Sequence, residues 1–232
     1  SLGLVGSEMC IRDRSMTVWV NSLVESAGGS IVEGDPASVD TLELALDSEA
    51  GGKAAGIVGT IGEEGLGGPG IDTQDENAAM EQFRGENGSF MVNWPFIYSA
   101  TQGAVAEGSV EQSVMDDIAW TTWPRVDADT PSAPPLGGIN LGVGASSENQ
   151  DLAWEAIECI SDPANQAKYM VSDGNPAAAS SAYEDKAVQE AYPMYEAIRE
   201  SLDSAAPRPQ TPYYNEISSG IQQEWTPIHE VN

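Results

Sequence analysis

The sequence predicts an α/β fold in which many helices cover a small sheet. Short apolar segments that are typical of strands are few, and the clearest of them is 90–92. Longer segments with apolar residues at helical spacing are many, and the most regular one spans 148–160. We therefore expect helices to outnumber strands. The apolar face of the most regular helix is formed by Leu152, Ala153, Ala156, Ile157 and Ile160.

The chain is strongly acidic along its whole length. Its 232 residues include 9 Lys and Arg against 37 Asp and Glu, which gives a net charge of −28. Such a surface repels nucleic acid and anionic membranes, so we expect neither as a partner. Hydrophobic residues make up 41% of the chain, which favours an acidic globular surface over disorder. A chain of this length can form one or two domains, and no apolar run approaches the roughly 20 residues of a membrane helix.

Residues that bind metals or cofactors are scarce. Cys10, Cys159 and His229 are the only cysteines and the only histidine, which is too few for a convincing transition-metal site or a disulfide framework. The chain also lacks a phosphate-binding loop with its lysine, an HExxH zinc motif and a GxSxG nucleophile motif. We therefore predict no metal and no cofactor, and we expect Cys159 to be a small core residue.

Residues 1–14 are not expected to belong to the fold. They resemble a translated sequencing adapter, and they differ from a signal peptide because Arg12 and Arg14 follow the apolar part instead of preceding it. We therefore expect residues 15–232 to form the folded part, and we expect the natural start of the protein to lie further upstream.

The other elements follow from periodicity and from the positions of glycine and proline. Asp72 or Thr73 is the expected N-cap of the helix that ends near Arg84. We predict helices at 17–27, 47–65, 72–84, 96–107, 148–160, 164–171, 184–192, 193–205 and 215–225, and a linker or short helix at 110–117. We predict strands at 30–32, 90–92 and 118–126, and a loop that feeds a strand within 136–143.

Our functional hypothesis rests on the segment 85–96. Gly85 suits the end of a helix, and the apolar residues 90–92 indicate a buried strand. Pro95 suits the first turn of the next helix. Trp94 is thereby placed at the carboxyl end of a strand, on the loop that opens a helix, where ligands lie in open α/β sheets. From its position alone, Trp94 is either a core tryptophan or a flat surface on which a sugar ring stacks.

Several segments resemble one family, in the same order along the chain. The chain is similar to the extracellular solute-binding proteins of sugar-importing ABC transporters (family 1), in particular to the maltose/trehalose-type group. The resemblance covers nearly everything after the first 14 residues. The segments that carry it are Gly28-Gly29-Ser30-Ile31-Val32, Phe83 to Pro95 with its Asn93-Trp94-Pro95, Gly137-Gly138, and Arg208 to Tyr214.

The resemblance implies a type II periplasmic-binding-protein-like fold. Residues 15–232 would be mainly the C-terminal lobe of a two-lobe protein whose first lobe is largely missing. The two lobes would close by a hinge around a sugar, a disaccharide or short oligosaccharide, and deliver it to the permease subunits of an ABC importer, without catalysis. The full-length protein is expected to be a monomer in the periplasm or outside the cell, anchored as a lipoprotein.

The resemblance also implies a set of ligand-binding residues. Trp94 would be the aromatic platform, and Gly137 and Gly138 would offer backbone N–H groups to a hydroxyl. Ile139 stands where related chains often carry tryptophan, which removes a stacking surface. The full set is Trp94, Gly137, Gly138, Arg208, Tyr213 and Tyr214.

The C-terminal members of this set approach the ligand from a stiff segment. Arg208 lies between two prolines, and its fork of donors suits vicinal hydroxyls or a carboxylate. The alternative for Arg208 is an ordinary surface arginine. Of Tyr213 and Tyr214, we expect one to face the cleft and the other to be packed.

Two other functions stay open from the residues. A secreted glycoside hydrolase would need two carboxylates on either side of one bond. Asp116 and Asp117 are adjacent, so their side chains diverge, and a solvated turn is the favoured interpretation. A purely structural surface domain would have no pocket at Trp94. Trp120 and Trp123, three apart on a predicted strand, are expected to be core residues.

Overall fold

The structure, a computed structural model, describes residues 7–9, 15–68, 70–85 and 88–232. Helices dominate a small amount of sheet, so the predicted fold class is confirmed. None of the described helices is long and apolar enough to cross a membrane. The strands are β1 (Ser7–Met9), β2 (Val32–Glu33), β3 (Glu43–Leu44) and β4 (Phe90–Val92). The α-helices are α1 (Ser15–Ser26), α2 (Glu49–Glu63), α3 (Glu76–Phe83), α4 (Phe96–Ala106), α5 (Gln112–Asp117), α6 (Gln150–Ser161), α7 (Pro163–Asp173), α8 (Lys186–Ala191), α9 (Tyr195–Ser204) and α10 (Tyr214–Glu224).

The chain divides into two compact units, and each has its own core. The first unit comprises Ser1–Trp94, Trp123–Leu136 and Ser201–Asn232. The second unit comprises Pro95–Thr122 and Gly137–Glu200.

Helix α1 runs through the centre of the first unit. Met16, Val20 and Val24 are completely buried, as expected for residues four apart on one face of a helix. A polar pair joins α1 to α10, since the hydroxyl oxygens of Thr17 and Ser218 lie 2.7 Å apart in a buried position. Burying these hydroxyls is tolerated because each supplies the other with a partner.

Helix α2 is rich in glycine where the C-terminal segment crosses it. A Cβ at Gly62 would lie only 2.5 Å from the backbone nitrogen of His229. A Cβ at Gly59 would collide with the carbonyl oxygen of Val231. The absence of side chains at these two positions therefore lets the end of the chain pack directly on the helix.

Two small sheets lie in the first unit. Strands β1 and β4 are parallel, with Ser7 opposite Phe90, and β2 and β3 are antiparallel, with Val32 opposite Leu44. β1 falls within residues 1–14, which were not expected to belong to the fold; residues 1–6 and 10–14 of that segment lie outside the described part. β4 was expected to be buried, but Phe90 is 63% exposed, because a two-stranded sheet cannot cover both faces of its strands.

The second unit is built from helices around two tyrosines. Tyr183 and Tyr192 are almost completely buried and pack with Met170, Val188 and Ile198. Burial raises the pKa of Tyr183 to about 12. Its hydroxyl therefore stays protonated at neutral pH and donates to the carbonyl of Ala177 at 2.8 Å.

The amphipathic helix predicted at 148–160 is present as α6, but its apolar face is not part of a core. Among the described residues of α6, none is buried. Leu152 is 63% exposed, Ile160 is 58% exposed, and Cys159 is also exposed. The expectation that Cys159 is a core residue is therefore wrong. Hydrophobic periodicity predicted the helix correctly, but it could not show whether a partner covers it within this chain.

Some local predictions are also wrong. Residues 118–126 and 136–143 have no regular secondary structure and pair with no strand among the described residues, because hydrophobic periodicity cannot show whether a partner strand is available. The N-cap of α3 is Asp75, whose carboxylate accepts from the N–H of Ala78, and Asp72 and Thr73 belong to a separate 3-10 helix. Trp120 is 44% exposed, so it is not a core residue.

Candidate functional site

Trp94 lies where the sequence placed it. β4 ends at Val92, two residues follow, and Pro95 leads into α4. Trp94 is half-buried as a residue. A tryptophan on a strand-to-helix loop with an accessible ring can present a flat apolar surface to a ligand.

The loop before α4 is held by a side chain that sequence reasoning did not select. The Nδ2 of Asn93 donates to the carbonyl oxygen of Glu76 at 2.8 Å, and the N–H of Trp94 donates to the Oδ1 of Asn93 at 2.8 Å. One carboxamide thereby joins α3 to the backbone of Trp94. The signal in the sequence is the asparagine directly before Trp94-Pro95.

Arg208 lies in the first unit and contacts Tyr214. Its Nη1 donates to the Tyr214 hydroxyl at 3.2 Å, and its Cζ lies 5.7 Å from the centre of the Tyr214 ring. The preceding residue is held by Asn21, whose Nδ2 donates to the Pro207 carbonyl at 3.3 Å. Within the described part of the chain, no carboxylate forms an ion pair with Arg208. Its remaining donors therefore suit a ligand rich in hydroxyl groups.

The two tyrosines before and at the start of α10 differ in their contacts. Tyr214 packs along Arg208, whereas the N–H of Tyr213 donates to the Thr211 Oγ1 at 3.2 Å. Thr211 in turn donates to the Pro36 carbonyl at 2.6 Å. Both tyrosine rings are half-buried. This anchored segment gives α10 a fixed starting point.

Gly137 and Gly138 belong to the second unit, whereas Trp94, Arg208, Tyr213 and Tyr214 belong to the first. Both glycines are exposed, and a Cβ at Gly138 would meet nothing within 4 Å. Gly138 has φ = 155°, which side chains rarely tolerate. Glycine at position 138 is thus favoured by the backbone conformation and not by lack of space for a side chain. The next residue, Ile139, is 74% exposed.

Two cavities of the first unit are lined by neither Trp94 nor Arg208. An apolar one of about 280 Å³ is lined by Leu42, Leu46, Ile217, Ile221 and Trp225 among others. Its walls come from the β3 segment and α10 and offer almost no polar groups. A site that orients a ligand needs a few well-placed polar groups, so this cavity does not fit a sugar.

Acidic clusters do not form an obvious catalytic or metal site in the described residues. No group of three or more His, Cys, Asp or Glu side chains there could hold a metal ion. Asp116 and Asp117 lie in α5 and are exposed, and Asp116 accepts from Gln112 at 2.9 Å. The solvated interpretation of this pair therefore holds, although the residues are helical and not in a turn.

Comparison with known proteins identifies the family. The model of the family described as "Bacterial extracellular solute-binding protein" matches residues 13–196. The chain belongs to this family. The match supports the solute-binding interpretation of the sequence and not the glycoside hydrolase.

One curated relative agrees with this membership. This solute-binding chain is 28% identical over 206 residues to a probable ABC transporter-binding protein of Deinococcus radiodurans, and the match covers 88% of this chain and 45% of that protein. The chain therefore spans about half the length of the curated relative that it matches.

Solved structures show the same fold. The maltose-bound MalE3 of T. maritima superposes with a TM-score of 0.76 at 21% identity, over 97% of this chain and 55% of that one. The GacH receptor of Streptomyces glaucescens, solved without ligand and with acarbose, superposes with a TM-score of 0.73 at 20% identity, over 98% of this chain and 54% of that one. At these identities the likeness establishes the fold, a maltose-binding-protein-like periplasmic-binding fold.

Proposed function

We propose that this chain is part of the substrate-binding component of an ABC importer, that it captures a sugar, a disaccharide or short oligosaccharide, and that it delivers it to membrane permease subunits without catalysing a reaction. The observation that carries the proposal is the half-exposed Trp94 on the loop between β4 and α4 of a solute-binding fold. The ring would supply apolar stacking, and the hydrogen-bond donors of the other proposed site residues would supply specificity. The maltose and acarbose complexes of structurally similar proteins support a sugar as the ligand.

The proposed contacts have different roles. Trp94 stacks on one sugar face, and Arg208 donates to hydroxyl oxygens with the N–H groups that Tyr214 does not occupy. Tyr213 and Tyr214 provide further hydroxyl and ring contacts, and Gly137 and Gly138 offer backbone N–H groups. The full-length protein is proposed to be a monomer, and a lipid anchor would hold it at the outer face of the membrane.

We further propose that 15–232 is mainly the C-terminal lobe of a larger, two-lobe protein. The relatives that it matches are about twice as long. Helix α6 exposes an apolar face that an α/β fold normally packs against a sheet, and the described strands all lie in the first unit. A ligand site shared between two lobes would be incomplete here, so this chain alone is expected to bind sugar weakly or not at all.

Isothermal titration of maltose and trehalose against the full-length gene product tests the proposal. Saturable heat in the unaltered protein, with affinity at least about thirtyfold weaker in Trp94→Ala, is expected if the ring is the platform. Phe90→Ala is the matched control, because Phe90 is an exposed aromatic four residues earlier in the chain. Absence of heat with either sugar, or hydrolysis of the sugar during the titration, would contradict the proposed function.

A further inference from the structure

Asn93 occupies the position that fixes how Trp94 leaves the strand. Its side chain lies between the end of β4 and the first turn of α3 and is half-buried. Both ends of its carboxamide are used: the Nδ2 donates to the Glu76 carbonyl, and the Oδ1 accepts from the Trp94 N–H, each at 2.8 Å. A carboxamide can do both at once because it carries its donor and its acceptor on two separate atoms.

The anchor to which Asn93 binds is itself fixed. α3 begins at the Asp75 cap, whose carboxylate accepts from the Ala78 N–H at 2.8 Å. The carboxylate of Glu76 accepts from the Ser15 hydroxyl at 2.7 Å, at the start of α1. A continuous series of hydrogen bonds thus runs from α1 through Glu76 and Asn93 to the backbone of Trp94.

Trp94 is restrained from its other side by proline. The residue before a proline is confined to extended backbone conformations, and Pro95 occupies the N-cap position of α4. With Asn93 holding its N–H and Pro95 limiting its ψ, the backbone of Trp94 has little freedom left. Its N–H is also no longer available to a ligand, which leaves the indole ring as the recognition group.

We propose that Asn93 is a positioning residue for sugar recognition, which sets the orientation of the Trp94 ring without touching the ligand. The proposal rests on the proposed function of Trp94 as a sugar platform. A ring that is already oriented loses less conformational freedom when the ligand binds, so fixing it increases affinity. Asn93 thereby acts on binding only through Trp94.

The first experiment uses no ligand. The full-length gene product is labelled with 5-fluorotryptophan, and the Trp94 resonance is assigned by ¹⁹F NMR of Trp94→Phe. Asn93→Ala is expected to shift and broaden the Trp94 resonance and to leave the other tryptophans unchanged. Asn149→Ala is the matched control, since Asn149 is exposed and its side chain makes no capping bond to α6. A change in every tryptophan resonance would show a general structural role and overturn the proposal.

The second experiment is a double-mutant cycle on maltose and trehalose affinity. Asn93→Ala is expected to weaken binding roughly fivefold to tenfold, which is the effect of losing about one hydrogen bond. Asn93→Asp keeps the acceptor for the Trp94 N–H but sets a carboxylate oxygen against the Glu76 carbonyl oxygen, so its affinity is expected to be no higher than that of Asn93→Ala. In the Trp94→Ala background, Asn93→Ala is expected to have no further effect.

The outcomes separate this proposal from the proposed function. Weaker binding in Trp94→Ala with unchanged binding in Asn93→Ala overturns the role of Asn93 and leaves the sugar site in place. An additional loss for Asn93→Ala in the Trp94→Ala background would mean direct contact with the sugar, which also overturns the positioning role. Unchanged binding in Trp94→Ala overturns both.

Discussion

The guanidinium of Arg208 is held against Tyr214 by two contacts at once. Its Nη1 donates to the Tyr214 hydroxyl at 3.2 Å, and its Cζ lies 5.7 Å from the centre of the same ring. The planar group is thereby oriented before any ligand arrives, and only one of its five N–H donors is used in this contact. A lysine could not reproduce this arrangement, because its ammonium is not planar and has no fork of donors.

Arg208→Lys is therefore expected to weaken sugar binding about tenfold, although the charge is kept. Thermal unfolding is expected to change little, because the side chain forms no ion pair within the described residues. The measurement is isothermal titration of maltose and trehalose on the full-length gene product. Arg125→Lys is the control, since Arg125 is exposed and its Nη1 donates to the Ala128 carbonyl, three residues away, at 3.0 Å. Equal affinities for Arg208→Lys and the unaltered protein would remove Arg208 from the site.

A second prediction concerns the buried pair that joins α1 to α10. Thr17→Val is expected to destabilise the chain by about 1–3 kcal/mol, because it leaves the Ser218 hydroxyl buried without its main partner. The double variant Thr17→Val/Ser218→Ala is expected to lose less than the sum of the two single variants. Urea unfolding followed by circular dichroism measures all three. Strict additivity would mean that the two hydroxyls do not stabilise each other.

Local pattern was sufficient for most helices and for the position of Trp94. The segment with Trp19-Val20 and Leu23-Val24 predicted α1, and Pro95 marked the start of α4, because these signals depend only on neighbours in the sequence. The sequence did not show which distant segments pair or pack with each other. Residues 118–126 look like a strand but pair with no strand in the described structure, and no residue of α6 is buried there.

In the candidate site, too, the residues with a local signal could be predicted and the contacts between distant residues could not. Trp94 and Arg208 stood out by their position beside prolines, which is a local signal. Asn93 was missed because its importance lies in a bond to Glu76, 17 residues earlier. Whether Gly137 and Gly138 take part remains a proposal, since the structure places them in a different unit from the other candidates.

A third prediction concerns the partly buried carboxyl group of Glu25, in α1. Burial raises the pKa of the Glu25 carboxyl, and a hydrogen bond with Ser30 partly opposes this shift. Since the folded pKa lies above the unfolded one, the folded state binds more protons, and stability falls as pH rises through the folded pKa. Glu25→Gln is therefore expected to be more stable than the unaltered chain at pH 7, with a difference that disappears below about pH 4. Thermal unfolding between pH 3.5 and 8 measures this difference, with exposed Glu190→Gln as control. A constant difference across this range would contradict the assignment.

A fourth prediction tests whether a further lobe covers α6. Cys159 is exposed in this chain, so in Cys10→Ser, which leaves Cys159 as the only thiol, a thiol reagent is expected to label it at the rate of a free peptide. In the full-length gene product, with any cysteine other than Cys159 replaced by serine, labelling of Cys159 is expected to be at least about tenfold slower, because the apolar face lies against another part of the protein. Ile160→Asp should destabilise the full-length protein and leave the present chain unchanged, whereas Glu155→Asp should affect neither. Equal labelling rates in the two proteins would show that α6 remains uncovered.

The last prediction compares alanine substitutions at two glycines of α2. Gly56 and Gly62 lie in the same helix, but a Cβ at Gly56 would meet nothing within 4 Å, whereas a Cβ at Gly62 would lie 2.5 Å from the His229 backbone nitrogen. Gly56→Ala is therefore expected to stabilise the chain by about 0.5–1 kcal/mol, since alanine loses less backbone entropy in a helix. Gly62→Ala gains the same propensity but must push the C-terminal segment away, so it is expected to destabilise by about 1–3 kcal/mol.

Urea unfolding of the two alanine variants distinguishes these effects, because intrinsic propensity alone would give both the same sign. Deleting residues 228–232 removes the backbone that Gly62 faces. In that shortened chain, Gly62→Ala should become neutral or stabilising relative to its own parent, as Gly56→Ala is in the full chain. If Gly62→Ala is still destabilising after the deletion, the close approach of the C-terminal segment is not the reason for glycine at this position.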